Sequence, residues 1–327
     1  MRIADGTTVQ PHTVRLMFTI VITTYNRLPL LKRAIARSLE QTIGCEVLVV
    51  DDGSSDGTQA YCEALAEESV HFRYHRNPSN QGHAKSVNIG VELAQGTWIK
   101  LLDDDDYLAL NCIEQLEAAI TCHLDAVICS VQAAQVTEDE AELSVTKPVG
   151  NAQLCALPQP EIHYGMLLEQ VPFGTPVQVA FERDAFLKTG GWDSQFDTNF
   201  DDIDSWVKIA EHGDALFLNQ CLAYRTVWPG AYNYRFSLRD RLLAHKKIKH
   251  AIYDRIAPVH QRDIPSRKTV KQYLQLHWGL VALKQKRILG AIALLIAAMG
   301  SISAWRLFFR CRRPPAGLLQ WQVITPA

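Results

Sequence analysis

The chain has 327 residues, 47% of them hydrophobic and 21% charged, which is enough for a substantial core and excludes a disordered or fibrous protein. Its formal net charge of −2 lacks the overall basicity that nucleic-acid binding requires. Eight cysteines show no Cys-x-x-Cys pair and no metal-like spacing, and most sit among apolar neighbours, so buried reduced thiols in a cytosolic setting are expected.

Residues 1–16 include Asp5, Gly6, Pro11 and His12 and no long apolar stretch, so they read as a tail rather than a cleavable signal peptide. From there short apolar runs alternate with helical patterns. Phe18 to Thr23 reads as a strand, Leu28 to Glu40 as an amphipathic helix, Glu46 to Val50 as a strand and Thr58 to Glu67 as a helix. His71 to Tyr74 fits a short strand, His83 to Ala94 a helix, Trp98 to Leu102 a strand, Leu110 to Thr121 a helix and Ala126 to Val131 a strand. Strands separated by helical segments of this length specify βαβ units and a mostly parallel sheet. Residues 137–165, with Pro148, Pro158 and Pro160, have weak periodicity and are expected to be a mobile connection. Pro176 to Phe181 then reads as a strand, Arg183 to Lys188 as a helix, Gly190-Gly191 as a turn and Ile203 to Glu211 as a helix.

After Pro229-Gly230 the pattern is largely helical, and basic residues collect from Arg235 onward, which marks a module boundary near residue 235. Residues 288–305 are eighteen consecutive uncharged positions between basic flanks, at the lower limit of a bilayer span. Gly290, Gly300, Ser301 and Ser303 dilute that run, and positive charge at both ends gives no orientation. A C-terminal helical hairpin, buried or lying on a membrane surface, fits better. Trp305, Leu307, Phe308 and Phe309 amid arginines suit the surface option.

Ligands of open α/β sheets bind beyond the carboxyl ends of the strands, and three polar clusters fall at such ends here. Thr23-Thr24-Tyr25-Asn26 offers hydroxyls and a stacking face that suit a nucleobase. Asp51-Asp52-Gly53-Ser54-Ser55-Asp56 closes the second strand; Ser55 or Asp56 can cap the following helix, but capping does not explain Asp51 and Asp52. At least one of that pair should point into the crevice. Asp103 to Asp106 puts four carboxylates at one sheet edge, where their repulsion costs free energy unless a cation or solvent relieves it. A solvated acidic turn is the plain alternative.

Taken in order, Thr23-Thr24-Tyr25-Asn26, Val49-Val50-Asp51-Asp52-Gly53-Ser54, Asn80-Gln81-Gly82, Asn88-Ile89-Gly90, Ala94-Gln95-Gly96 and Leu101-Leu102-Asp103-Asp104-Asp105-Asp106 resemble the family 2 glycosyltransferases. The resemblance covers roughly residues 17–230. It implies an α/β GT-A fold, Rossmann-like with a mostly parallel central sheet flanked by helices, followed by a C-terminal helical extension. The expected division is a tail at 1–16, a catalytic domain at 17–234 and a basic helical region at 235–327 with possible peripheral membrane contact.

The family transfers a sugar from a nucleotide-sugar donor with inversion at the anomeric carbon. Carried onto this chain, the resemblance implies that Thr23 and Tyr25 border the nucleoside and that Asp52 receives the base imino hydrogen. Asp104 would lie near the ribose and diphosphate, and Asp105 would ligate Mg²⁺ or Mn²⁺, with Asp103 the candidate if the register differs by one. The segment Asp201-Asp202-Ile203-Asp204 resembles the family's acidic pair, with Asp202 at the position of the catalytic base. Asp204 lies about 200° around a helix from Asp202, so both cannot face the crevice. Capping of the helix by these acids is the competing role.

Two positions depart from the family pattern. Val87 stands where relatives often carry a basic residue, leaving Lys85 as a substitute or as part of a solvated helix face. Trp228 stands where a histidine is common and offers a surface for stacking on a sugar. The implied activity is extension of a cell-surface polysaccharide or lipopolysaccharide on a glycan or polyprenyl-linked acceptor at the inner face of the cell membrane, with a UDP-sugar as the favoured donor. The alternatives are a sugar nucleotidyltransferase, which would need a glycine-rich loop absent from Thr23 to Pro29, and a catalytically silent glycan-binding subunit.

Overall fold

The computed structural model describes residues 17–196, 200–227 and 237–325. Its first part follows the expected alternation: β1 (Phe18–Thr24), α1 (Leu28–Leu39), β2 (Glu46–Asp51), α2 (Thr58–Glu68), β3 (Phe72–Arg76), α3 (His83–Leu93) and β4 (Trp98–Asp103). These strands lie side by side as β3-β2-β1-β4, all parallel. Every residue of β1 is buried, as a strand covered on both faces requires. The period of two divides the strands between two cores. Val21, Leu48, Val50 and Leu101 face one, and Ile20, Ile22, Val47, Val49 and Leu102 face the other. Each such side chain, fully buried, is worth about 1.5–3 kcal/mol. Helix α1 covers the second core through Leu31, Ala34, Ile35 and Ser38, at the spacing of one helical face. On the other side α3 packs so closely on β1 that a Cβ at Gly90 would sit 2.4 Å from Val21 Cγ1.

The second part is a mixed sheet. After β5 (Tyr107–Leu108), α4 (Cys112–Thr121) and β6 (Ala126–Val136) come β7 (Glu142–Val145), β8 (Leu154–Leu157) and α5 (Gln159–Leu167). The expected mobile connection at 137–165 is therefore corrected: β8 is wholly buried, and seven residues of α5 are buried around its whole circumference. A helix covered on all sides carries no amphipathic stripe, so its periodicity was absent from the sequence. The expected strand from Pro176 begins as a 3₁₀ turn, Pro176–Gln178, before β9 (Val179–Glu182). Strand β9 runs antiparallel between β4 and β6, joining the two halves.

Helices α6 (Arg183–Lys188) and α7 (Asp201–Ile209) precede β10 (Asp214–Thr226), a long strand parallel to β6 with register shifts at Leu218–Cys221 and Cys221–Ala223. Overall this is a mixed central sheet flanked by helices, with the parallel strands that carry the site forming its N-terminal half.

Among the described residues the C-terminal α-helices are α8 (Leu238–Asp254), α9 (Arg267–Lys284), α10 (Ile288–Ile296) and α11 (Ile302–Arg312). They reach the first core through Ile248, Ile252, Val270, Tyr273, Leu274 and Phe308, and β11 (Gln322–Val323) adds to the sheet beside β8. The apolar run 288–305 is two short helices, with a turn at 297–301, and no helix among the described residues is long and apolar enough to cross a membrane.

Candidate active site

Two strand ends are stapled before any ligand is considered. Asn26, in the left-handed region at φ 53°, donates its N–H to Ser54 Oγ at 2.9 Å and accepts the Ser55 N–H on Oδ1 at 2.7 Å. Asp56 accepts from Leu28 N at 2.9 Å and from Thr58 N at 3.2 Å, so one carboxylate serves the starts of both α1 and α2. Gly53 (φ 82°) lets the turn after β2 approach the Ser79–Asn80 backbone, which a Cβ would meet at 3.1 Å.

Asp51 and Asp52 diverge from there. Asp51 is fully buried, accepts from Ser54 N and Tyr74 Oη, and pairs with Arg76 at 3.7 Å. Asp52 lines the crevice, and its carboxylate accepts from Asn77 Nδ2 (2.8 Å), Gln81 N (2.8 Å) and Gly82 N (2.9 Å). It thereby fixes the loop that leads into α3.

The aspartate run closes β4 in a tight turn, with Asp106 N donating to Asp103 O at 3.1 Å. It is not a solvated acidic turn: Asp104 and Asp106 are each only 4% exposed. Asp104 accepts from Thr24 Oγ1 at 2.8 Å, and Arg27 Nη1 reaches Asp104 at 3.1 Å and Asp105 at 3.2 Å. Asp106 accepts from Thr226 N at 2.8 Å. Arg33 donates to Asp105 O (2.6 Å) and Thr226 Oγ1 (2.7 Å), tying the turn to α1 and β10.

One carboxylate oxygen from each of Asp103, Asp105 and Asp106 can be chosen so that all lie within 4.8 Å of one another. Burial, with Asp105 and Asp103 as like-charged neighbours, pushes Asp104 up to about 7 and Asp106 well above the usual carboxylate range. Three crowded hard oxygen donors, Asp103, Asp105 and Asp106, fit a divalent cation such as Mg²⁺ or Mn²⁺.

His83, at the start of α3, lies between two acids that are far apart in the chain. Its Nε2 is 3.3 Å from Asp103 Oδ1 and 3.1 Å from Thr23 Oγ1; its Nδ1 is 3.8 Å from Asp201 Oδ2. Although shielding from water opposes the charge, Asp103 and Asp201 raise the imidazole well above its ordinary value. Across from it, Asp202 occupies the first turn of α7 and accepts from Ile203 N at 2.7 Å. Burial, then the charges of Asp201 and Asp103, lift Asp202 to about 7. Asp204, by contrast, is buried and paired with Lys208.

These groups share one cavity of about 640 Å³, lined among others by Thr23, Tyr25, Asp52, Asp103 to Asp106, Asp202 and Arg225. All six residues assigned from the sequence, Thr23, Tyr25, Asp52, Asp104, Asp105 and Asp202, border it; Tyr25 is the most open, at 46% exposure. Lys85 is exposed and Val87 is buried in the core, so neither borders the cavity. Trp228 lies outside the described residues.

Sequence reasoning left Arg27, His83, Asp106 and Arg225 without roles. Arg27 ends the first motif and His83 follows Asn80-Gln81-Gly82 directly, so both carried a positional signal. The charge of Arg225 acts on Asp103, Asp106 and Asp202, and only the pairing of β10 with β6 brings it there.

The family model for glycosyl transferase family 2 matches residues 19–190, more than half of the chain. The chain belongs to that family. Among curated relatives, an uncharacterised glycosyltransferase of Haemophilus influenzae is 33% identical over 110 residues, 33% of this chain and 44% of that protein. Glycosyltransferase GlyG of Streptococcus pneumoniae is 31% identical, over 31% of this chain and 34% of its own length. A Campylobacter jejuni protein named GalNAc(5)-diNAcBac-PP-undecaprenol beta-1,3-glucosyltransferase is 32% identical, over 30% of this chain and 32% of its own. The chain thus spans less than two thirds of each of these relatives.

Among solved structures, Staphylococcus aureus TarS 1-349 in complex with UDP-GlcNAc superposes with a TM-score of 0.61 at 13% identity, covering 91% of this chain and 87% of that one. The mannosyltransferase PcManGT from Pyrobaculum calidifontis, in complex with GDP-Man and Mn²⁺, gives 0.54 at 21% identity, covering 91% and 79%. Both likenesses establish the GT-A fold.

Proposed function

We propose that the enzyme moves a sugar, with inversion, from a nucleoside-diphosphate sugar to a glycan or lipid-linked acceptor in cell-surface polysaccharide synthesis, working at the inner face of the cell membrane. Residues 17–234 form the catalytic unit in this reading, and 235–327 the basic helical region. One observation carries it: acids from β2, β4 and α7 converge on a single cavity that also holds Thr23 and Tyr25. UDP-sugars are the favoured donors, a class that the UDP-GlcNAc complex of TarS supports. The undecaprenol-linked substrate in the name of the Campylobacter relative supports a lipid-linked acceptor.

Asp52 and Tyr25 bind the nucleoside: the carboxylate accepts from the base, and the exposed ring offers a face for stacking. Asp104, held by Thr24 and Arg27, positions the ribose and diphosphate. Asp105, with Asp103 and Asp106, would hold Mg²⁺ or Mn²⁺, and the bound cation supplies Lewis-acid stabilisation of the departing nucleoside diphosphate. Arg225 adds positive charge on the same wall. Asp202 takes the proton of the acceptor hydroxyl as its oxygen bonds to the anomeric carbon and the bond to the diphosphate breaks. A base poised near neutrality suits that step.

The test uses the purified chain with a panel of UDP-, dTDP- and GDP-sugars and Mn²⁺. Thermal shift identifies the donor, because a ligand of the folded state raises the midpoint. Release of free nucleoside diphosphate supports transfer; release of pyrophosphate means a nucleotidyltransferase. Unchanged glycan output in cells carrying Asp202→Asn would instead favour a binding subunit.

A further inference from the structure

We propose that α10 and the turn after it form an in-plane docking surface for a bilayer carrying anionic headgroups. This deepens the reading of a membrane-side acceptor by naming the surface, and it is measured without any transfer step. Helix α10 turns its small side toward α9: Ala291 is its one buried residue, and Leu295 packs where a Cβ on Gly279 would fall 2.7 Å from its Cγ. The outer side is aliphatic. Ile288, Leu289, Ile292, Ile296, Met299 and Ile302 are 60%, 86%, 47%, 75%, 58% and 71% exposed. Positions 288, 289, 292 and 296 fall on one face at 100° per residue. No charged residue interrupts the chain between Arg287 and Arg306. A contiguous exposed aliphatic stripe of this kind marks a surface that something covers.

Charge decides what covers it. Residues 264–327 contain ten Lys and Arg and not one Asp or Glu. Lys284, Lys286 and Arg287 are exposed at the start of the stripe, and Arg306, Arg312 and Arg313 beyond its end. Phe309, 57% exposed, stacks on Trp305 at 6.0 Å among those arginines. A basic rim around an aliphatic and aromatic face is the composition of a helix that lies in the headgroup region of an anionic leaflet. At nine residues α10 is about 14 Å long, far short of a bilayer core, so it lies on the membrane rather than crossing it. A two-fold contact with a second copy would set the same basic rim against itself and is disfavoured.

The experiment is flotation of the full chain with vesicles of phosphatidylcholine alone and of phosphatidylcholine mixed with phosphatidylglycerol. The chain floats with the mixed vesicles and far less with the neutral ones, and added salt weakens binding by screening. Leu289→Ser/Ile292→Ser/Ile296→Ser lowers the partition coefficient about tenfold or more, and Lys286→Ser/Arg287→Ser lowers it less. Circular dichroism and donor-induced thermal shift stay as in wild type, which separates lost docking from misfolding. Three results would overturn the proposal: wild type that stays soluble beside anionic vesicles at low salt, a triple variant that floats equally well, or a wild-type dimer that the triple variant dissociates. Flotation without sugar transfer upholds the surface and removes only the transferase reading.

Discussion

The Asp51–Asp52 pair and the Asp103–Asp106 run both close buried parallel strands, yet their carboxylates are treated oppositely. Asp51 and Asp52 receive five hydrogen bonds from side chains and backbone N–H groups and hold two loops in place. Asp104 and Asp106 are as deeply buried, but their nearest charged neighbours include other aspartates, and their pKa values rise. Carboxylates met by several donors each build the frame; in the crowded run one guanidinium, Arg27, is shared between Asp104 and Asp105 while like charges press on Asp104 and Asp106. The difference teaches where a cation belongs, and it can be broken one residue at a time.

The largest effect is expected at Asp202. Asp202→Asn removes the base with little change in shape, so kcat falls about 10²–10⁴-fold with a melting midpoint no lower than that of wild type, as single-turnover kinetics and calorimetry would show. Next comes the crowded run. Asp106→Asn keeps the acceptor for Thr226 N but deletes one like charge: Mn²⁺ affinity by titration calorimetry drops about tenfold or more, while the metal-free protein melts a few degrees higher, about 1 kcal/mol. A lower midpoint would show that its charge is not a burden.

The frame behaves in the reverse sense. Asp52→Ala strands the Gln81 N–H and takes one acceptor from Asn77 Nδ2 and from the Gly82 N–H, which keep Ser86 Oγ and Asn80 Oδ1, costing about 2 kcal/mol of stability in denaturant titration, metal or no metal. The pH profile is a milder probe. Asp202 accepts a proton only when ionised, and its pKa is raised to about 7, so kcat climbs as pH rises through that value and levels above it. A limb near the ordinary carboxylate value would contradict the burial that raises it. Smallest of all, Lys85→Ala on the exposed face of α3 leaves KM for donor within about twofold.

The same contrast explains what the sequence made legible. Strands β1, β2 and β4 are mostly apolar runs, interrupted by the buried Thr19 and Lys100, that end in polar clusters, so both they and the cavity residues at their ends were readable in order. Leu154–Leu157 and α5 were not, because complete burial erases the polar phase on which periodicity depends. Strand β10 was hidden by its register shifts between Leu218 and Ala223. The run 288–305 read as continuous, although it spans α10 and the start of α11, because the break at 297–301 needs no charged residue. His83 and Arg225 reach the site through α3 packing and through β10–β6 pairing, long-range events that no local motif encodes.

The central claim is that nucleotide and cation are held together by the crowded aspartates. Titration calorimetry of UDP, GDP and dTDP with and without Mn²⁺, on wild type and Asp105→Asn, tests it directly. The account predicts that one nucleotide binds wild type about tenfold or more tightly when Mn²⁺ is present, and that Asp105→Asn abolishes the difference. Equal affinity with and without Mn²⁺ in wild type, or an enhancement that survives Asp105→Asn, would contradict it.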